Sequence, residues 1–261
     1  MSPKPAYLSG EHAMAWDDPE VAGLYHHRPE YPPALFDLLD ELLGSGPRVV
    51  LDLGAGTGVI ARHLARRVQR IDAIDPALPM IEAGKQLPGG DDPRIRWVQA
   101  AAETGPLDGP YGLAVTSQSL HWMEWDVVLP RLAGALAPAA YLAIVDDPEE
   151  PEPWHDALHG IIARYSAIRN YQNQFELIPE LERLGLFVTA GQLDVPPMTI
   201  RQPLESYVAS FHARSSLTRG RMGSDAAARF DDEIRALVGG REIVERGIGG
   251  RIVYGRPVAR A

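Results

Sequence analysis

The residues best placed for chemistry gather around one short loop. Val49-Val50-Leu51-Asp52-Leu53-Gly54-Ala55-Gly56-Thr57-Gly58 carries an apolar strand into a glycine turn, and an amphipathic stretch from Val59 to Val68 follows. Glycine permits positive φ and lets a ligand approach the backbone closely. A helix start beyond it offers free N–H groups and a positive dipole end. An ATP- or GTP-binding loop would close with Gly-Lys-Ser/Thr, whereas Gly58-Val59-Ile60 stands here, which excludes that class. A dinucleotide fingerprint is spaced G-x-G-x-x-G. The spacing here is G-x-G-x-G, with Asp52 two positions before the first glycine. A second carboxylate, Asp75 in Ile74-Asp75-Pro76, ends the next apolar run, where it can accept both hydroxyl protons of a ribose. On these residues alone a nicotinamide cofactor and a ligand-free structural turn stay open beside a different nucleoside.

Further along, Thr116-Ser117-Gln118-Ser119-Leu120-His121-Trp122 follows a fourth apolar run. His121 is the best general-base candidate because imidazole titrates near neutrality; its alternative is a structural histidine bonded to backbone. Trp122 suits a pocket wall whose face could attract a cation. The His26-His27 pair is the second base candidate. His155 and His159 have the i, i+4 spacing that can clasp zinc or iron, but Asp156-Ala157-Leu158 lacks a metalloprotease glutamate and no third ligand is evident, so a solvated helix face and no metal are expected. The absence of cysteine excludes a disulfide scaffold, a thiol nucleophile, an iron–sulfur cluster and a Cys-based zinc site.

These groups need a scaffold, and strand and helix patterns alternate along the chain. Strands are expected at Val49–Leu53, Ile71–Ile74, Ile95–Gln99, Gly112–Thr116 and Ala140–Val145, with helices at Tyr31–Leu43, Val59–Val68, Pro79–Lys85 and Val127–Leu136 between or before them. Nearly continuous apolar strands suit a parallel sheet buried on both faces. The alternation predicts an α/β fold: a Rossmann-like, doubly wound, mostly parallel seven-stranded sheet. After Val145 an acidic, proline-rich connector from Asp146 to Pro153 interrupts the pattern. Helices at Trp154–Arg169 and Leu177–Leu184 then make a segment too long for an ordinary crossover, which predicts a helical lid. Residues 1–145 form the expected ligand-binding core with an N-terminal helical cap, 146–186 the lid, and 187–261 the strands and helices that complete the sheet. In that last part strands are expected at Phe187–Met198 and Arg251–Tyr254, helices at Leu204–Arg214 and Ala226–Val238. Tyr165, Tyr171, Phe175 and Phe187 could line an acceptor pocket or merely fill the lid's core.

Composition bounds the partners. The chain has 261 residues, 45% hydrophobic and 23% charged, with a net charge of −10. One generous domain is expected, and the acidic balance disfavours nucleic acid. No apolar run approaches a membrane span, and Met1-Ser2-Pro3-Lys4-Pro5 lacks a signal-peptide profile, so the expected compartment is cytoplasmic. The stretch from Thr199 to Ala261 is locally basic, and Arg214-Ser215-Ser216-Leu217-Thr218-Arg219-Gly220-Arg221 could clamp an anionic or carrier-tethered acceptor, since Arg presents a planar fork to carboxylate or phosphate. Solvated surface charge explains the same run.

Asp52 ahead of a G-x-G-x-G loop resembles class I S-adenosylmethionine-dependent methyltransferases, and from Tyr25 to Val145 the chain is similar to the small-molecule type that includes trans-aconitate methyltransferase. The opening Tyr25-His26-His27-Arg28-Pro29-Glu30-Tyr31-Pro32, the Pro79-Met80-Ile81 segment, Ala100-Ala101-Ala102-Glu103 and the Ser119-Leu120-His121-Trp122 motif carry the likeness. It implies that Asp52, Gly54, Ala55, Gly56, Gly58, Asp75 and Pro76 cradle S-adenosylmethionine, with Met80 on the adenine. It also implies that Tyr25 and Arg28 close over the methionine end, that Gln118 lies beside the cofactor, and that His121 and Trp122 face the transferred methyl; His26 and His27, in the lead-in segment, are candidates for the acceptor pocket because that segment is expected to border it. Ala101 replaces the acidic residue expected at the adenine amino group, leaving backbone near Ala102, with Glu103, to serve there. The activity implied is methyl transfer to a small molecule, oxygen ranking first as acceptor atom, then carbon, then nitrogen, with S-adenosylhomocysteine as product. Arginine far outnumbers lysine, present only as Lys4 and Lys85, which hints at a GC-rich genome and secondary metabolism. A nicotinamide-dependent oxidoreductase and a non-catalytic nucleoside-binding module are the rival functions.

Overall fold

The computed structural model describes residues 14–147, 152–167 and 175–259. Apolar strands and amphipathic helices alternate as the sequence predicts: α1 (Pro19–Leu24), α2 (Pro33–Leu43), β1 (Val49–Leu53), α3 (Val59–Leu64), β2 (Arg70–Asp75), α4 (Leu78–Gln86), β3 (Ile95–Gln99), β4 (Tyr111–Ser117), α5 (Trp125–Ala135) and β5 (Leu136–Asp146). Then come α6 (His155–Tyr165), α7 (Leu177–Arg183), β6 (Phe187–Pro203), α8 (Leu204–His212), α9 (Arg219–Met222), α10 (Ser224–Leu237) and β7 (Ile243–Pro257).

The seven strands form one sheet in the order β3-β2-β1-β4-β5-β7-β6. The first five pair in parallel, and β7 lies antiparallel to both β5 and β6. Strand order reverses between β1 and β4, and a crevice opens at the carboxyl ends of strands at such a switch point. Alternation along β1 splits the core. Val50 joins the apolar layer with α2 and α3, while Leu51 and Leu53 join the layer with α5 and α7.

Several boundaries differ from expectation. The helix after the glycine loop ends at Leu64, four residues before Val68, and tightens into a 3-10 turn over Ala65–Arg67. The β6–β7 ribbon is longer than the sequence suggests, pairing from Phe187↔Pro257 to Pro203↔Ile243. Pro196-Pro197 falls where the register shifts between Val195 and Met198, a place where missing N–H groups cost no ladder bond. At Gly250 a Cβ would lie 2.5 Å from Leu35 Cδ1, so bare backbone lets β7 pack on α2. The helical cover is also built differently. Leu158 and Ile161 of α6 share a core with Tyr207, Val208 and Phe211 of α8 and Phe230 and Ile234 of α10, whereas Leu181 of α7 packs on the sheet.

Candidate active site

The glycine loop hangs from β2 as well as β1, because the N–H groups of Gly54 and Ala55 both donate to the Ile74 carbonyl, at 2.8 and 3.0 Å. Gly54 sits at φ 70°, and a Cβ there would fall 2.4 Å from Ser119 Cβ, so the loop touches the start of the His121 turn with no room for a side chain. Asp75 closes the cradle from the next strand. Its Oδ2 accepts from the Gly56 N–H at 2.7 Å and its Oδ1 from the Ala77 N–H at 2.9 Å. Burial raises its carboxyl and these two bonds oppose the rise. Each oxygen keeps a second lone pair for a ligand hydroxyl.

Asp52 is deeper. Its Oδ2 accepts from the Ala61 N–H at 3.1 Å and so caps α3, whose N-cap Gly58 has no side chain to do it. Its Oδ1 is buried without a partner among the described residues, and burial pushes the carboxyl up to about 7. An orphaned carboxylate oxygen on the cradle wall suits a ligand cation. Arg62 ties the loop's far end to the lead-in segment, donating to the Thr57 carbonyl at 3.0 Å and to Glu30 Oε1 at 2.6 Å.

The opposite wall comes from the lead-in and the ends of β4 and β5. Gln118 occupies φ 52°, a left-handed conformation that non-glycine residues seldom adopt. That twist directs its Nε2 to Asp146 and, at 2.5 Å, to Asp147 Oδ1. Asp147 in turn lies 3.7 Å from the Arg28 guanidinium, which donates to the Tyr25 hydroxyl at 3.3 Å. The Tyr31 and Ser117 hydroxyls bond at 2.8 Å. His121 and Trp122, with rings 4.8 Å apart, share a 3-10 turn that the Trp125 indole pins by donating to the Leu120 carbonyl at 2.8 Å.

These walls enclose an open cavity of about 2380 Å³, well beyond the 300–1,000 Å³ of a usual single-ligand site. Tyr25, His26, Arg28, Asp52, Gly54, Ala55, Gly56, Asp75, Pro76, Met80, Ala102, Glu103, Gln118, His121 and Trp122 all line it. Gly58 does not: its φ of 70° and a would-be Cβ 2.4 Å from Trp97 Cη2 make it a packing glycine. His27 does not either, because its Nδ1 turns to Ser206 Oγ of α8 at 3.0 Å. The arginine run divides between surface pairing and the cavity. Arg219 pairs with Glu20 and Asp231, Arg221 donates to the Ser215 carbonyl, and only Arg214 of that run reaches the cavity.

The His155 and His159 rings lie 4.2 Å apart, tilted by 42°, and among the described residues no group of three or more metal-capable side chains occurs. Of the four aromatics named for an acceptor pocket, Phe175 lines the cavity, Tyr165 and Phe187 lie in apolar cores, and Tyr171 falls outside the described residues. Sequence reasoning missed Trp16, whose ring meets Tyr25 edge-on at 5.9 Å, and the cavity face of α6 at Leu158, His159 and Ile162. Among the described residues no helix is long and apolar enough to cross a membrane.

Residues 50–139 match the methyltransferase domain family. The expected likeness to methyltransferases is borne out. The chain is 32% identical over 147 residues to an uncharacterized methyltransferase of Mycobacterium tuberculosis (strain ATCC 25618 / H37Rv), covering 55% of this chain and 58% of that relative. It thus spans little more than half the length of the curated relatives it matches. It is also 33% identical over 110 residues to trans-aconitate 2-methyltransferase of Pseudomonas aeruginosa, covering 41% of this chain and 38% of that enzyme. Among solved structures it resembles a proposed type II methyltransferase of Anaeromyxobacter dehalogenans, with a TM-score of 0.62, 26% identity, and coverage of 88% of this chain and 97% of that one. The fold is shared with an S-adenosylmethionine-dependent methyltransferase of Thiobacillus denitrificans crystallised with S-adenosylhomocysteine (TM-score 0.51, 17% identity, 91% of this chain and 97% of that one).

Proposed function

We propose that this chain is an S-adenosylmethionine-dependent methyltransferase acting on a small molecule. The observation that carries the proposal is the cradle itself. Gly54–Gly56 expose backbone at the switch point, Asp75 offers carboxylate lone pairs from the next strand, and Asp52, with its orphaned Oδ1, lines the same cavity. In this reading Asp75 takes the ribose hydroxyls and Asp52 faces the α-ammonium. Met80 and Pro76 bracket the adenine, with Ala102 backbone and Glu103 at its edge, while Tyr25 and Arg28 close over the methionine end. When bound, the donor supplies an electrophilic methyl group on a sulfonium sulfur.

The protein's own work is alignment, which can accelerate an in-line displacement greatly. Gln118 holds the ends of β4 and β5 together, while Trp122 and His26 border the acceptor. Where the acceptor is a hydroxyl, His121 is the group to take its proton. Oxygen ranks first among acceptor atoms, then carbon, then nitrogen. A cavity larger than one nucleoside needs leaves room for such an acceptor beside the donor.

The test is calorimetric titration with S-adenosylmethionine and S-adenosylhomocysteine, repeated on Asp75→Ala and with NADH as control. Micromolar one-to-one binding of the sulfur nucleosides, weakened at least ten-fold by the substitution, is expected. Failure of both nucleosides to bind, or tighter binding of NADH, refutes the proposal.

A further inference from the structure

The cavity is lopsided in charge. Among the described residues ten carboxylates line it against four guanidiniums. Three of those arginines are already matched: Arg62 meets Glu30 at 2.6 Å, Arg251 meets Asp194 at 2.7 Å, and Arg28 lies 3.7 Å from Asp147. The fourth, Arg214, lies over the Phe211 ring at 5.2 Å. The carboxylates have no such balance. Asp17, Glu103, Glu124, Asp146, Glu176 and Glu182 all line the cavity, and among the described residues none forms an ion pair. Independently, Asp52 presents a carboxylate oxygen with no partner on a side chain 1% exposed.

We propose that this cavity selects its ligands by charge, admitting cations and turning away carboxylates and phosphates, so that its acceptor is a neutral or cationic small molecule. The inference rests on the donor assignment above and extends it. S-adenosylmethionine carries an ammonium, a carboxylate and a sulfonium, hence one net positive charge, whereas its thioether product is neutral overall. A negative surround therefore favours the donor over the product and helps exchange one for the other after each turnover. Each rim carboxylate roughly 10 Å away through water changes the affinity for a unit charge about two-fold, and six of them compound to tens of fold at low salt. At 1 M salt, where the Debye length is about 3 Å, nearly all of that is screened. An anionic acceptor meets the same field with the opposite sign.

The experiment titrates the full chain calorimetrically with S-adenosylmethionine and S-adenosylhomocysteine at about 20 mM and about 1 M sodium chloride. The Kd for the sulfonium compound should rise at least ten-fold with salt and that for the thioether less than three-fold. A Glu124→Gln, Glu176→Gln, Glu182→Gln variant, which leaves the proposed donor contacts intact, should lose about half of that difference on a logarithmic scale. A matched pair of probes then addresses the acceptor. To the S-adenosylhomocysteine-loaded protein at low salt, 3-phenylpropylamine should bind at least ten-fold more tightly than 3-phenylpropionate. Equal salt dependence of the two nucleosides, or equal or tighter binding of the carboxylate probe, overturns the inference while leaving the donor assignment standing. Binding of neither nucleoside overturns both.

Discussion

Gly58 separates two explanations of the third loop glycine, and replacing it with alanine tests them. The likeness to methyltransferases assigns this residue to the cofactor cradle, but it lies off the cavity and its Cα faces the Trp97 ring. Added at φ 70°, a Cβ would sit 2.4 Å from Trp97 Cη2. The ring has little room to slide, because its Nε1 donates to the Gly90 carbonyl at 3.0 Å and the same Cη2 lies 2.8 Å from a Cβ position at Gly84. A left-handed alanine costs about 1–2 kcal/mol and overpacking typically 1–3. The stiffer unfolded chain returns about 0.4–1. The net expectation is a loss of about 2–4 kcal/mol, or a fall in Tm of roughly 5–15 °C for a chain of this size. Thermal unfolding followed by circular dichroism measures it, with nucleoside affinity titrated on the same sample below the transition. Affinity should change less than three-fold. Adding Trp97→Leu should cost less than the sum of the two single substitutions, since the second opens the space that the first needs. An unchanged Tm accompanied by a large loss of affinity would refute the packing account and return Gly58 to the cradle.

Asp72 is fully buried and accepts two bonds from Arg96, both at 2.9 Å, and one from the Tyr111 hydroxyl at 2.7 Å. Asp72→Ala should cost about 3 kcal/mol in urea unfolding, at the lower end for a broken buried pair because Arg96 keeps access to water; a cost under about 1 kcal/mol would show the network to be incidental. Glu30 is held down to about 2, first by its bond with His63 and then by Arg62, against burial. An unfolded glutamate titrates near 4.3, so this contribution is whole above that value and drains as pH falls from about 4.3 to about 2. Glu30→Gln should flatten the stability profile in that window and nowhere else. Asp52 behaves oppositely: burial lifts it to about 7, so its contribution to folding declines as pH rises from about 4 to about 7. A cation placed at its free oxygen restores the charged form and expels the proton. Donor binding near pH 6.5 should therefore release protons, read as a dependence of the calorimetric heat on the buffer's own protonation enthalpy, and Asp52→Asn should abolish the release.

The parallel half of the sheet was legible because its strands are nearly all apolar and each meets a helix of clean periodicity; β1 and β3 match residue for residue. The ends were less so. The stretch from Ile243 to Gly250 contains Gly247, Gly249 and Gly250, which read as a turn when seen alone. They are strand because β6 supplies a partner along the whole length and because α2 presses against Gly250 too closely for a side chain. Pairing and close approach are properties of distant segments, so the local pattern carried no trace of them.

At the site, residues belonging to one motif were legible and residues brought in by topology were not. Asp52, the loop glycines and Asp75 lie within one β-α-β unit, and their spacing alone juxtaposes them. The other wall depends on two segments of the chain meeting above the sheet. Within the expected lid of residues 146–186, α6 has Leu158 and Ile161 as its buried apolar anchors, too few to hold a helix on their own. Its stability comes from Tyr207, Phe211, Phe230 and Ile234, supplied by helices inserted between β6 and β7. A lid anchored in that way moves only if α8 and α10 move with it, or if α6 leaves their core. The cavity face of α6 at Leu158, His159 and Ile162 is therefore set by a packing surface some fifty residues downstream, and Arg214 joins the cavity from that same region. Under the proposed function, the wall left for an acceptor belongs to the joint between α6 and the helices that lie between β6 and β7, which no single motif spans, whereas the donor cradle falls within one β-α-β unit.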